Sequence, residues 1–176
     1  SSIQNDATRL KEAYKKIIRS TMLVTFVLML GMVAIAKPMI FTLIGAKWEP
    51  CVIYLQMLCF VGMLYPLHAI NLNMLNVQGR SDLFLKLEII KTILAVPVII
   101  VAVFFGIKAM IIGMIFLSII AYYLNSYWSG RLINYSWRDQ IKDILPSFMI
   151  AAVMSAIVFI EGMFFRLPPL PMLLIQ

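Results

Sequence analysis

The residue types that could do chemistry in this chain are concentrated between positions 68 and 82. Amide, imidazole and guanidinium groups can hydrogen-bond to sugar hydroxyls or phosphate oxygens, and the planar Arg head is suited to binding anions. A lysine near the end of an apolar segment, Lys37, could meet a diphosphate in the same way. The candidate binding residues are Lys37, His68, Asn71, Asn73, Asn76 and Arg80.

Each candidate also has a structural interpretation. Amides inside a helix bundle bond to neighbouring helices, an interaction worth about 0.6–2 kcal/mol each. Arg80 could mark topology at the lipid headgroups, and Lys37 could reach the outer surface along its aliphatic stem. Ala69, Asn73, Asn76 and Arg80 share one helix face at 100° per residue. We expect at least one polar residue of this set to face a cavity.

Catalysis and metal binding are not favoured. The eight acidic residues are dispersed, with no D-x-x-D-like pair inside an apolar segment, and the single His68 has no carboxylate close in sequence. Cys51 and Cys59 lie eight residues apart, which is about 12 Å along one helix and too far for a disulfide between them. Glu88 with Lys91 or Lys86 is interpreted as an interfacial ion pair. We predict no catalytic, cofactor or metal site, and a membrane-embedded glycan or prenyl-lipid enzyme is the least favoured alternative.

The composition of the chain is unusually apolar, and it predicts the helices that must position these residues. Of 176 residues, 62% are hydrophobic and 13% are charged, and the mean hydropathy is +0.95. Soluble domains are about 45–50% apolar and about 25% charged. The apolar residues form blocks near the roughly 20 residues that cross a bilayer. The predicted fold class is an all-α polytopic transmembrane helix bundle, with spans at about 20–44, 51–78, 83–105, 109–129 and 144–165 and the start of a sixth at 170–176.

Residues 1–19 differ from the bundle that is predicted over 20–176. Leu10, Tyr14 and Ile18 lie on one helical face, while Lys and Arg residues occupy the other. Basic amphipathic helices of this kind lie in the headgroup layer of a membrane. Both chain ends read as internal positions, so we expect a piece of a larger membrane protein.

The distribution of positive charge predicts an orientation. Lys and Arg residues are enriched in cytoplasmic loops. One side of the predicted bundle holds Arg9, Lys11, Lys15, Lys16, Arg19, Arg80, Lys86, Lys91, Arg131, Arg138 and Lys142. These are eleven of the 15 basic residues, so we expect the N-terminal helix on the cytoplasmic side. The net charge of +7 is therefore a topology signal, and no nucleic acid is expected as a partner.

Several short motifs resemble a known family when taken in combination. They lie in the amphipathic segment, at the end of the first span, and along the second span with its following turn. The residues are Gln4, Asp6, Arg9, Leu10 and Tyr14, then Leu43, Gly45 and Trp48, then Leu55, Gln56, Gly62, Pro66, Gly79, Arg80 and Asp82. Over roughly the first hundred residues, the chain resembles polysaccharide biosynthesis membrane proteins. These are the Wzx-type oligosaccharide flippases of the multidrug/oligosaccharidyl-lipid/polysaccharide (MOP) exporter superfamily.

This resemblance implies a two-lobed, MATE-like bundle that works by alternating access, of which this chain is most of the second lobe. It implies that polyprenyl-pyrophosphate-linked oligosaccharide crosses the bacterial inner (cytoplasmic) membrane for O-antigen, capsule or exopolysaccharide synthesis. The implied partners are this lipid-linked oligosaccharide, membrane lipids, the missing N-terminal lobe and polysaccharide polymerase machinery. No bound cofactor is implied, and H⁺ or Na⁺ stays open as a coupling ion.

Two other functions stay open at this stage. A cation-coupled multidrug exporter of the same superfamily needs an acidic residue deep in the bundle, and the sequence alone places no carboxylate at mid-span. A membrane scaffold without transport would leave the polar end of the second span with a packing role only.

Overall fold

The computed structural model describes the backbone of residues 2–164 and the side chains of residues 8–162. The chain forms five long helices with a short 3₁₀ turn at Ala46–Trp48. The helices are α1 (Ser2–Leu43), α2 (Cys51–Val77), α3 (Ser81–Phe105), α4 (Ile107–Ile133) and α5 (Trp137–Phe164). The segment predicted as the start of a sixth span, 170–176, lies outside the described residues.

Each of the five helices contains a stretch long and apolar enough to cross a membrane. A helix of 27 residues, such as α2 or α4, is about 40 Å long, and the hydrocarbon layer is about 30 Å thick. The described part of the chain contains no strand. The predicted fold class, an all-α polytopic membrane protein, is therefore confirmed.

The first helix is continuous across residue 19, where the sequence suggests a change from surface helix to span. Pro38 also lies inside α1, which runs on to Leu43 instead of ending at the proline. Where the membrane surface crosses such a helix depends on its side chains and not on a break in its backbone. The headgroup position of residues 1–19 stays a prediction.

The core lies where α1 packs against α5 and α2, and where α2 packs against α4. A buried row on α1 repeats every four residues and meets buried residues of the other helices. This row consists of Tyr14, Ile18, Met22, Phe26 and Leu30. Ser155 of α5 donates a hydrogen bond to the Leu30 carbonyl (2.8 Å), and Gln56 of α2 donates one to the Val33 carbonyl (3.1 Å). Polar side chains therefore join the same helices at their backbones.

The third helix is attached differently, because it packs mainly on α4 and makes few contacts with α2. Near its start, Leu83 and Leu87 form a small buried cluster with Leu75 of α2. Further along, α3 lies close to Gly113 of α4, where an added Cβ would lie 2.5 Å from Cγ1 of Val98. Because α3 stays on α4, a cleft remains between α2 and α3.

Candidate functional site

The cleft between α2, α3 and α4 has a volume of about 640 Å³ and mostly apolar walls. This size is within the range of roughly 300–1,000 Å³ that is usual for ligand pockets. Its polar groups are contributed by all three helices: Tyr65 and His68 from α2, Glu88, Lys91 and Thr92 from α3, and Ser118 from α4. We call this space the α2–α4 cleft.

The polar groups of the α2–α4 cleft lie deep along their helices. Glu88 and Lys91 are seven and ten residues beyond the start of α3, His68 is nine before the end of α2, and Ser118 is eleven beyond the start of α4. At about 1.5 Å per residue, these positions are about 10–17 Å from the nearest helix end. In a bundle centred on a hydrocarbon layer about 30 Å thick, groups at these positions would lie inside that layer.

Two of these residues form an ion pair, in which the Lys91 ammonium donates to the Glu88 carboxylate. Charged residues inside a membrane usually pair with one another and face a bundle interior or a water-filled cavity. The sequence predicted an interfacial pair with either Lys91 or Lys86 and no carboxylate at depth. The structure selects Lys91 and places the pair in the cleft wall.

His68 is held between the cleft and α4. Its Nε2 lies 2.9 Å from the Ser118 Oγ, while Nδ1 is buried with no hydrogen-bond partner among the described residues. A neutral imidazole has one donor and one acceptor nitrogen, so one of the two hydrogen bonds that His68 can make is not formed. Of the six predicted binding residues, His68 is the one whose side chain lines the α2–α4 cleft.

Asn71 points away from the cleft into a buried hydrogen-bond network. Its Oδ1 accepts from the Tyr14 hydroxyl (2.8 Å) and the Ser129 hydroxyl (2.5 Å), and its Nδ2 donates to the Leu67 carbonyl (2.8 Å) and to Gln140 Oε1 (3.2 Å). These partners lie on α1, α4, α2 and α5, and Asn71 is fully buried. This environment favours the structural interpretation of Asn71, in which the amide joins neighbouring helices.

Asn73 and Asn76 lie with Ala69 on an exposed stripe of α2. Arg80, which the sequence predicted on the same helix face, lies beyond the end of α2 at Val77, directly before the start of α3. Ala69 also lines the cleft, so the stripe continues from the cleft toward the Arg80 end of the helix. Within residues 8–162, neither Asn73 nor Asn76 has a side-chain hydrogen bond. Arg80 donates from Nε and Nη2 to the two carboxylate oxygens of Asp82 (3.0 and 3.1 Å), which raises the pKa of Arg80.

Lys37 is far from these residues, near the opposite end of the bundle. Its Nζ lies 2.9 Å from the Glu49 carboxylate and 5.4 Å from the centre of the Phe41 ring. Both partners of this ion pair are more than half exposed. The structure therefore does not bring Lys37 together with the α2 residues.

A second charged cluster, which the sequence did not reveal, joins α1 to α5. The Asp143 carboxylate pairs with Lys15 (3.0 Å) and Arg19 and accepts a hydrogen bond from the Tyr135 hydroxyl (2.7 Å). Burial and the neighbouring Asp143 raise the pKa of Tyr135. Lys15 and Arg19, which lie on the basic face of α1, therefore pair with α5 while their side chains stay 39% and 52% exposed.

The fold and the α2–α4 cleft define a multi-pass membrane protein with polar groups at membrane depth. A family model described as "Polysaccharide biosynthesis protein" matches residues 1–53. The chain is 27% identical over 101 residues to the lipopolysaccharide biosynthesis protein WzxC of Escherichia coli (strain K12), covering 57% of this chain and 20% of that protein. It is 28% identical over 99 residues to an uncharacterized membrane protein in the cps region of Klebsiella pneumoniae, covering 56% and 20%.

The chain thus aligns with about a fifth of the length of these relatives. No solved structure matches it. The findings confirm the predicted resemblance to polysaccharide biosynthesis membrane proteins of the Wzx type.

Proposed function

We propose that this chain is part of a flippase. It moves polyprenyl-pyrophosphate-linked oligosaccharide across the bacterial inner membrane by alternating access, for the synthesis of a surface polysaccharide. The observation that carries the proposal is the α2–α4 cleft, with an ion pair and an imidazole at the depth of the hydrocarbon layer. The names of the similar proteins support a role in polysaccharide synthesis.

The chemistry of the site suits the polar part of such a substrate. A glycan offers hydroxyl groups that both donate and accept hydrogen bonds, and the α2–α4 cleft offers a carboxylate, an ammonium, an imidazole and a hydroxyl. Asn73 and Asn76 extend this surface along α2 toward Arg80. Because hydrocarbon supplies no hydrogen bonds, a polar path of this kind would lower the free-energy barrier for moving the glycan across the membrane.

Depletion of the full chain in its own cell tests the proposal. We expect polyprenyl-pyrophosphate-linked oligosaccharide to accumulate while surface polysaccharide decreases. A Glu88→Gln substitution should lower surface polysaccharide tenfold or more, because it leaves the Lys91 charge without its partner at membrane depth. Protein abundance, measured by immunoblot, must stay unchanged for this comparison.

Lys86→Met is the matched control, since Lys86 is an exposed cation of the same helix that does not line the cleft. Glu88→Asp keeps the charge and should restore much of the surface polysaccharide. An unchanged amount of lipid-linked oligosaccharide after depletion would contradict the flippase.

A cation-coupled multidrug exporter is the second candidate, and Glu88 is the observation that favours it. A carboxylate in a membrane cleft can receive cations, and Glu88 lines the α2–α4 cleft seven residues beyond the start of α3. Depletion would then leave the glycolipid unchanged and raise the retention of cationic drugs.

A further inference from the structure

A second pocket, of about 450 Å³, lies where α4 ends and α5 begins. The chain folds back sharply here: Asn134 has a left-handed backbone (φ 49°), and the Tyr135 N–H donates to the Gly130 carbonyl (3.0 Å). A Cβ at Gly130 would lie 2.4 Å from the Tyr135 carbonyl oxygen, so only glycine allows this approach. The resulting pocket is a built feature of the bundle end, and we call it the α4–α5 pocket.

The α4–α5 pocket contains two opposite charges that do not pair with each other. Among the residues that the structure describes, Arg131 has no carboxylate partner, and its guanidinium lies 4.8 Å from the centre of the Tyr127 ring. Asp139 has no basic partner in the same range and accepts a hydrogen bond only from the Ser136 hydroxyl (2.8 Å). A guanidinium stacked on an aromatic ring keeps its N–H groups free at the edge.

A buried hydroxyl also lines the α4–α5 pocket. Ser126 is fully buried, and its Oγ has no hydrogen-bond partner within the described residues. Buried polar groups normally have partners, so an orphaned one in a pocket wall indicates an absent ligand or water. The lining of the pocket therefore combines a buried serine hydroxyl, whose polar neighbour is the Tyr122 hydroxyl, with a guanidinium and a carboxylate that have no charged partner.

The depth of the α4–α5 pocket corresponds to the headgroup layer. Tyr127 and Trp137 line it. Tyr123 packs against both of them and Trp128 packs against Tyr127, with ring centres 5.8–6.3 Å apart. Trp and Tyr are enriched at membrane–water interfaces. The molecules that share this depth are lipid headgroups.

We propose that the α4–α5 pocket binds the zwitterionic headgroup of phosphatidylethanolamine. The phosphate accepts hydrogen bonds from Arg131 and Ser126, and the primary ammonium donates to Asp139. A purely anionic headgroup would leave Asp139 facing negative charge. A choline headgroup carries no N–H to donate to the carboxylate.

Native mass spectrometry of the full chain, purified in mild detergent, tests the proposal. The protein is offered equal amounts of phosphatidylethanolamine, phosphatidylcholine and phosphatidylglycerol. We expect retention of phosphatidylethanolamine to exceed that of the other two by about tenfold, since one charge-assisted hydrogen bond distinguishes them. Asp139→Asn should abolish the preference over phosphatidylcholine, and Arg131→Gln should reduce retention of both lipids.

Two control variants lie outside the pocket: Arg138→Gln at the same bundle end and Glu49→Gln at the other. Neither should change the lipid ratios. Equal retention of the ethanolamine and choline lipids by the unaltered protein would overturn the proposal, as would a preference for phosphatidylglycerol. The proposal would also fail if the control variants lost the preference for phosphatidylethanolamine as much as the pocket variants do. Ser126→Ala keeps the Ser136–Asp139 contact and supplies a second pocket variant if Asp139→Asn does not fold.

Discussion

At the scale of single residues, two asparagines of α2 show how position changes the role of one residue type. Asn71 is fully buried and bonds to four helices, whereas Asn73, two positions later, is exposed. Two residues correspond to a rotation of about 200° on a helix, so the side chains point to nearly opposite sides. The sequence shows that both are polar but not which one meets another helix.

Replacing Asn71 with leucine should destabilise the protein by about 1–3 kcal/mol. The change removes an acceptor from the Tyr14 and Ser129 hydroxyls and a partner from Gln140, all within the buried network. Thermal unfolding of the full chain in detergent measures the effect as a decrease in Tm.

The matched control is Asn73→Leu, the same substitution at the exposed position. Its effect on stability should stay within about 0.5 kcal/mol. Equal decreases in Tm for the two variants would mean that the network around Asn71 does not contribute to stability.

The ion pair of the α2–α4 cleft shows what sequence patterns can and cannot identify. Glu88 and Lys91 are three residues apart, a spacing that predicts contact on one helix face. The sequence predicted an interfacial position for this pair, and the structure places it in the cleft wall, seven and ten residues beyond the start of α3. The partners across helices, Ser118 for His68 and Asp143 for Lys15, come from segments distant in sequence. No local pattern encodes those pairs.

At the scale of helices, hydropathy identifies the spans, but the helices α4 and α5 extend beyond the predicted spans. The fourth helix was predicted at 109–129 and extends over Ile107–Ile133, and the fifth was predicted from 144 and begins at Trp137. The added turns contain charged residues such as Arg131 and Arg138. A helix continues outside the hydrocarbon layer as long as its backbone bonds are made, so apolar length gives only a lower bound.

The contact between α3 and α4 depends on Gly113. A Cβ at this position would overlap Cγ1 of Val98 at 2.5 Å, and valine is stiff at χ1. Gly113→Ala should therefore push α3 from α4 and destabilise the protein by about 1–3 kcal/mol. Chemical denaturation, or Tm in detergent, measures this change.

The compensating substitution on α3 provides the control. Val98→Ala removes both methyl groups from the contact, so the double variant Gly113→Ala/Val98→Ala should recover stability relative to Gly113→Ala alone. If the loss of stability in the double variant equals the sum of the losses in the two single variants, the contact between Gly113 and Val98 does not limit how closely α3 packs on α4.

At the scale of the whole molecule, the distribution of polar groups gives the bundle two different ends. The Lys37 end is joined by the exposed Lys37–Glu49 pair, whereas the opposite end contains the Asp143 cluster, the α4–α5 pocket and most of the basic residues. The positive-inside rule predicts that the second end faces the cytoplasm. For the proposed flippase, the orientation also decides from which side a glycan would reach the α2–α4 cleft, because the exposed stripe of α2 leads from Ala69 to the Val77 end of the helix.

Labelling with a membrane-impermeant thiol reagent in intact cells tests this orientation. In a background where Cys51 and Cys59 are replaced by serine, a cysteine at Lys47 should react in intact cells. A cysteine at Arg138 should react only after the membrane is permeabilised. The reason is that Lys47 and Arg138 are both exposed but lie at opposite ends of the bundle. The reverse pattern would place the Arg80 end outside, and in the proposed flippase a glycan would then leave, not enter, along the polar stripe of α2.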